Sequence, residues 1–149
     1  MKPELTVKHF DELTVRELHD ILRLRVDVFV VEQACAYAEV DGKDPSAIHV
    51  MGWSGDDLIA CARILPPEPD GLPHVGRVVV AADHRGKGLA QRMMDRIMEI
   101  LDSTYGSKRS ELAAQAHLQK FYERSGYVRV SEEYPWDGIP HVDMRHGAE

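Results

Sequence analysis

Apolar and polar residues alternate through Leu5, Thr6, Val7, Lys8, His9 and Phe10, which is the period of a half-buried strand. Asp11 and Glu12 break it, and Thr14 followed three positions later by Glu17 predicts a capping box at a helix start. Leu18, Ile21, Leu22, Val26 and Phe29 then recur at helical spacing. The helix should bury that face and leave Arg16, Arg23 and Asp27 largely outside. From Val30 the period is lost, so a helix end and a long loop reaching Pro45 are expected, and long loops in compact domains are often functional. Two strand-like runs, 47–53 and 57–65, are joined by Ser54-Gly55-Asp56. They predict an antiparallel hairpin with a three-residue loop.

The prolines of 66–73 remove amide donors and stiffen a loop there. Residues 74–82 are expected to form a buried strand, with three β-branched residues in a row at Val78, Val79 and Val80. A helix follows, with Leu89, Met93, Ile97, Ile100 and Leu101 on one face and an end before Gly106. Residues 110–115 are assigned to a strand mainly because a crossover helix needs a parallel neighbour. A short helix over 116–125 stops at Gly126, the usual left-handed cap residue. Closing strands at 127–130 and 139–144 flank a loop containing Pro135, Trp136, Asp137 and Gly138. No internal repeat or low-complexity segment is visible. The order is βα, ββ, βαβαββ, which predicts an α/β architecture: a mixed sheet with helices packed on its faces.

A chain of 149 residues fits one domain with a full core, 1–149, and is short for two. A net charge of −7 argues against a broad electrostatic grip on nucleic acid or an anionic membrane. Cys35 and Cys61 are too few and too far apart for a disulfide framework or a structural zinc site, and fit thiols in a reducing compartment. With no basic leader and no apolar run near the roughly 20 residues of a membrane span, a cytoplasmic protein is expected. His141, Asp143 and His146 carry metal-ligating groups, but strand alternation would put His146 on the opposite face. No metal is expected.

The sharpest chemical signal is the passage from Val78 to Ala90. A strand feeds Gly86 and Gly88 and then a helix, and the first amides of a helix point together out of its N-terminus. They carry about half a positive charge, so an anion, above all a phosphate, satisfies them. Arg85 and Lys87 add cationic side chains, and Arg92 and Arg96 extend the bias against only Asp83 and Asp95. A diphosphate is the expected ligand. Leu89 after Gly88 excludes a Walker loop, and Gln91 excludes the dinucleotide fingerprint. Upstream, Asp27, Glu32, Glu39, Asp41 and Asp44 face only Lys43. These are either a cleft that attracts an amine and offers a carboxylate base or a solvated acidic face.

Arg85-x-x-Gly88-x-Ala90 resembles the pyrophosphate-binding motif of the GNAT family of N-acetyltransferases. Phe121-Tyr122-Glu123-Arg124-Ser125-Gly126-Tyr127 is similar to that family's tyrosine, four residues before a glycine and aromatic pair. Segments spread over nearly the whole chain resemble its ElaA-like branch: 24–33 with 41–44, Gly76 to Val80, Ala114 to Gln119, and Gly138-Ile139-Pro140-His141. The resemblance implies a mostly antiparallel sheet with a splayed parallel strand pair, and acetyl-coenzyme A lying in the gap. Backbone of Val78, Val79 and Val80 would pair with the pantetheine arm, while Arg85, Gly86, Lys87, Gly88, Leu89 and Ala90 hold the diphosphate. Gln115 and His117 stand where many members place an asparagine beside the pantetheine.

The implied reaction is direct attack of an amine on the thioester, with a backbone amide of 78–80 meeting the oxyanion. A phenol near 10 and a thiol near 8.5 make Tyr122 the candidate general acid. Glu32, Glu39, His49, His74, His117 and His141 are candidate bases, with His141 preferred for its place in the Gly-Ile-Pro-His segment. The expected partners are acetyl-coenzyme A and an amine acceptor, with a second copy of the chain as a further candidate. A non-catalytic acyl-coenzyme A binding or sensing module is the alternative. Acyl transfer of the homoserine-lactone synthase type would want a basic face for an acyl carrier, which this acidic chain lacks.

Overall fold

The structure is a computed structural model and describes residues 2–147. Eight strands form one sheet: β1 (Glu4–His9), β2 (Ile48–Ser54), β3 (Asp57–Leu65), β4 (His74–Val80), β5 (Ser110–Gln115), β6 (Tyr127–Arg129), β7 (Tyr134–Trp136) and β8 (Ile139–His146). Their spatial order is β1-β2-β3-β4-β5-β8-β6, with β7 paired to β8. Only β4 and β5 run parallel; the other pairings are antiparallel. Three α-helices accompany the sheet: α1 (Val15–Arg25), α2 (Leu89–Tyr105) and α3 (Gln119–Glu123).

Strand alternation assigns the two faces. Met51, Cys61 and Val79 are opposed across neighbouring strands and pack with Ile21, Leu24 and Val28 of the first helical segment. Their sequence neighbours Val50, Ala60, Ala62 and Val80 turn the other way and pack with Met93, Met94, Ile97 and Leu101 of α2. Helices therefore cover both faces, and burying this apolar surface drives the assembly.

The capping box at Thr14 forms as expected. The Thr14 hydroxyl accepts the Glu17 amide at 3.0 Å, and Glu17 accepts the Thr14 amide at 2.8 Å. The buried face of α1 differs from the one its apolar residues predict. Leu18, Leu22 and Val26 are half-buried, whereas Ile21, Leu24 and Arg25 are buried. A buried arginine is invisible to hydropathy, and it turns the inward face by about a quarter of the helix. The helical segment ends at Glu32, close to the end expected near Val30, but its last part, Val26–Glu32, is a wider π-helical turn, a feature that recurs at functional sites.

Two further expectations are corrected. Ser54 pairs with Asp57, leaving a two-residue turn at Gly55 and Asp56 in place of three. The stretch around Pro135 is not a plain loop: Trp136 pairs with Ile139 across Asp137 and Gly138, whose φ angles are +51° and +79°. Two successive positive φ values define a type I′ hairpin turn, for which Asp-Gly is a favoured pair.

Candidate active site

The site begins with a break in the sheet. β4 and β5 are paired only at His74 and Glu111, next to a bond from the Glu111 amide to the Pro73 carbonyl at 3.0 Å. Past that point they diverge. The cause lies on the other edge of β4, where its register with β3 slips between Cys61 and Arg63. One extra residue of β4 is accommodated there, with Arg77 at φ +50°, and such a bulge bends its strand. The Ala81 amide donates to the Ile59 carbonyl at 2.8 Å. By antiparallel alternation the main-chain groups of Val80, and of Val78 before it, therefore face the gap.

A cavity of about 610 Å³ fills the divergence. Val78, Val79 and Val80 form one wall, and Leu112, Ala113 and Gln115 another; Gly86, Gly88, Leu89 and Ala90 stand at its α2 end. Tyr122, His117, His141 and the side chain of Arg85 also line it. Lys87 is exposed and is not part of the lining.

The α2 end has the chemistry of an anion site. Arg92 is the first residue whose amide bonds within the helix, to the Gly88 carbonyl at 3.1 Å. The amides of Leu89, Ala90 and Gln91 precede that bond, no side chain caps Gly88, and no acidic residue lies in the first turn. Gly86 and Gly88 have φ of +77° and +80°, and a Cβ on either would meet nothing within 4 Å. The cationic side chains contribute less than the sequence suggests. Arg85 donates from Nε to the Val80 carbonyl at 2.9 Å and forks onto Glu32 at 2.7 and 3.0 Å. Arg92 reaches the Pro3 carbonyl and Arg96 reaches Glu99.

Of the acidic residues, Asp27 and Glu32 are exposed, and the other three form neither an amine cleft nor a solvated face. Glu39, Asp41 and Asp44 are matched by Arg25, Arg63 and Arg77 in a network that is largely buried. Arg25 bonds Glu39 at 2.7 Å and Asp44 at 2.8 Å; Arg63 bonds Asp41 and Asp44; Arg77 bonds Glu39 at 2.9 Å. Burial alone would raise the Asp44 carboxyl, but hydrogen bonds and charge from Arg25 and Arg63 outweigh it and hold the group below the usual range. Arg77 also lies over the Tyr37 ring, 5.5 Å from its centroid. The bulge residue is thus pinned from two sides.

These contacts thin the candidate bases. Glu39 is committed to the network, and Glu32 to Arg85. His49 is 1% exposed, lies outside the cavity lining and donates from Nε2 to the Asp44 carbonyl at 3.0 Å. His74 lines the closed end of the gap, where burial lowers its affinity for a proton. His117 is exposed at the rim. His141 is oriented: its Nδ1 lies 2.7 Å from the Ile139 carbonyl. A carbonyl only accepts, so Nδ1 carries the proton and Nε2 of the neutral ring keeps a lone pair. Tyr134 stacks on that ring and Trp136 lies 5.3 Å from it. Tyr122 is 7% exposed, and burial pushes its phenol well above the ordinary range.

A family profile described as an acetyltransferase (GNAT) domain matches residues 17–147. The chain belongs to the GNAT acetyltransferase family. Protein ElaA of Escherichia coli K12 is 44% identical over 139 residues, covering 91% of each chain. The crystal structure of E. coli ElaA superposes with a TM-score of 0.91 at 40% identity, over 97% of this chain and 99% of that one. An acyl-CoA N-acyltransferase from Pseudomonas aeruginosa gives 0.92 at 42% identity with the same coverage. This GNAT protein is accordingly an acyltransferase with the ElaA type of chain. Its splayed strand pair is the mixed-sheet feature of the fold.

Sequence reading misses Arg25, Arg77, Trp136 and the pairing role of Glu39. Asp137-Gly138 was a usable signal for the hairpin that carries Trp136. The arginines offered none, since their burial depends on carboxylates distant in sequence.

Proposed function

We propose that the protein transfers the acetyl group of acetyl-coenzyme A to a primary amine. One observation carries this reading: the uncapped amides of α2, the unpaired backbone of β4, Tyr122 and His141 all open onto the same cavity. The amides from Gly86 to Ala90 suit the diphosphate, and the gap-facing groups of Val78 with the Val80 amide suit an extended amide-containing arm. The naming of a 42% identical relative as an acyl-CoA N-acyltransferase supports the acyl donor class.

When bound, acetyl-coenzyme A supplies an activated acyl group. His141 Nε2 takes one proton from the substrate ammonium, freeing the nitrogen lone pair. The Val78 amide, held toward the gap by the bulge, is aimed where charge gathers on the acyl oxygen. The nitrogen–carbon bond forms as the carbon–sulfur bond breaks, and the electron pair leaves with sulfur. Burial keeps Tyr122 protonated, so its hydroxyl donates a hydrogen bond to that sulfur. Proton transfer from so weak an acid is completed only as the second nitrogen proton returns to the phenol oxygen. One proton is released in all, through His141.

Isothermal titration calorimetry with coenzyme A, followed by acetyl transfer assays across amine classes, tests the reading. Heat on titration together with acetylated product supports it. Binding with no product from any amine would favour a sensing module, and absence of heat would overturn the cofactor itself.

A further inference from the structure

We infer that the acceptor is an arylalkylamine, a single ammonium on a flat aromatic body, seated against Trp136. The inference rests on the acetyl-transfer reading for its reaction and on separate residues for its specificity. Two further segments complete the cavity: the π-helical turn with the loop after it, and the β7–β8 hairpin. Cys35 Sγ donates to the Asp137 carbonyl at 3.5 Å and ties these walls together across 102 positions.

The surface they offer is apolar and aromatic. Phe29 and Ile139 line it, and Trp136 lies beside them with 46% of its surface exposed. An exposed tryptophan at a cavity wall is an unusual use of the largest apolar side chain, and a flat ring is the partner its face accommodates best. The same residue lies 5.3 Å from His141. A body resting on Trp136 thus brings its amine near the lone pair that would take its proton.

Charge decides between aromatic monoamines and polycations. Among the described residues, Glu32 and Asp137 are the carboxylates of the lining. Glu32 is occupied by both terminal nitrogens of Arg85. Asp137 forms no ion pair among the described residues, so the wall offers one free negative charge. One ammonium is matched there, whereas the additional charges of a polyamine or an aminoglycoside would meet none. Glu32, Glu39, Asp41 and Asp44, which suggest an amine cleft from sequence, are spent on arginines.

The test compares 2-phenylethylamine and tryptamine with spermidine and kanamycin by kcat/KM, in the wild type and in Trp136→Ala. The aromatic amines should lead by about tenfold or more, the scale of apolar-pocket discrimination. In Trp136→Ala the KM for 2-phenylethylamine should rise by a similar factor with kcat changed far less. A readout free of turnover uses a Trp53→Phe background, in which Trp136 is the remaining tryptophan of the two in the chain. Its fluorescence should respond saturably to 2-phenylethylamine and not to kanamycin. Preference for spermidine or kanamycin, an unchanged KM in Trp136→Ala, or a flat fluorescence titration overturns the inference. Coenzyme A calorimetry on the same samples separates the two claims: loss of heat there sinks the donor assignment, while the fluorescence titration still decides the acceptor.

Discussion

Tyr122 and His141 reach the cavity with opposite proton inventories. The tyrosine is buried and its phenol pushed up, so it is a donor at any pH the fold tolerates. The histidine is held by the Ile139 carbonyl as an Nδ1–H tautomer, so it is an acceptor through Nε2. Replacing Tyr122 by Phe keeps the ring packing against Phe121 and Tyr127 and removes only the hydroxyl. Turnover should fall about 100-fold, within the usual range for an acid–base group, with coenzyme A affinity unchanged by calorimetry. His141→Gln should cost a similar factor. The readout is kcat/KM for acetyl transfer.

At the scale of elements, α2 shows how an omission can be functional. A helix of 17 residues with a Gly106 cap at its end lacks any side-chain cap at its start, although such a cap contributes about 1 kcal/mol. Gly88→Ala introduces a methyl at φ +80° into open space beside these amides. Stability should fall by about 1–2 kcal/mol, measured by urea denaturation, while coenzyme A binding weakens further than that in calorimetry. Elements such as α2 were legible because local periodicity and glycine punctuation determine them. β7 went unread although Asp137-Gly138 marks its turn, since Pro135 argued against a strand; the structure keeps it at the margin, on β8. The π-helical turn had no local signature. It depends on how Val28 and Phe29 pack under Met51 and Val79, which periodicity within one segment does not encode.

For the molecule as a whole, the network of Arg25, Arg63 and Arg77 with Glu39, Asp41 and Asp44 joins α1, β3, β4 and the intervening loop. Arg25→Met would leave Glu39 with Arg77 alone and Asp44 with Arg63 alone, and breaking a buried pair from one side costs about 3 kcal/mol or more. Chemical denaturation should register that loss. The pH dependence has two stages. Burial holds the His49 imidazole below its usual range, so the unfolded chain binds more protons and stability declines as pH falls below about 6.5. For Asp41 and Asp44, burial would raise the carboxyls, but hydrogen bonds from Arg63 and Arg25 hold them low. Their contribution is complete above about pH 3.9 and disappears as pH drops through the folded values. Thermal melts should therefore show a shallow loss near pH 6 and a steep one in strong acid, the first reduced in His49→Gln.

The divergence of β4 and β5 places sheet edges inside the molecule. Most sheets confine their vulnerable borders to the periphery, where a stray chain can latch on and seed aggregates. Here the edges left without a partner strand lie indoors, each backed by a paired neighbour. Only a slender, ribbon-like guest can zip into such a slit, so admission is restricted by thickness before any side chain is consulted.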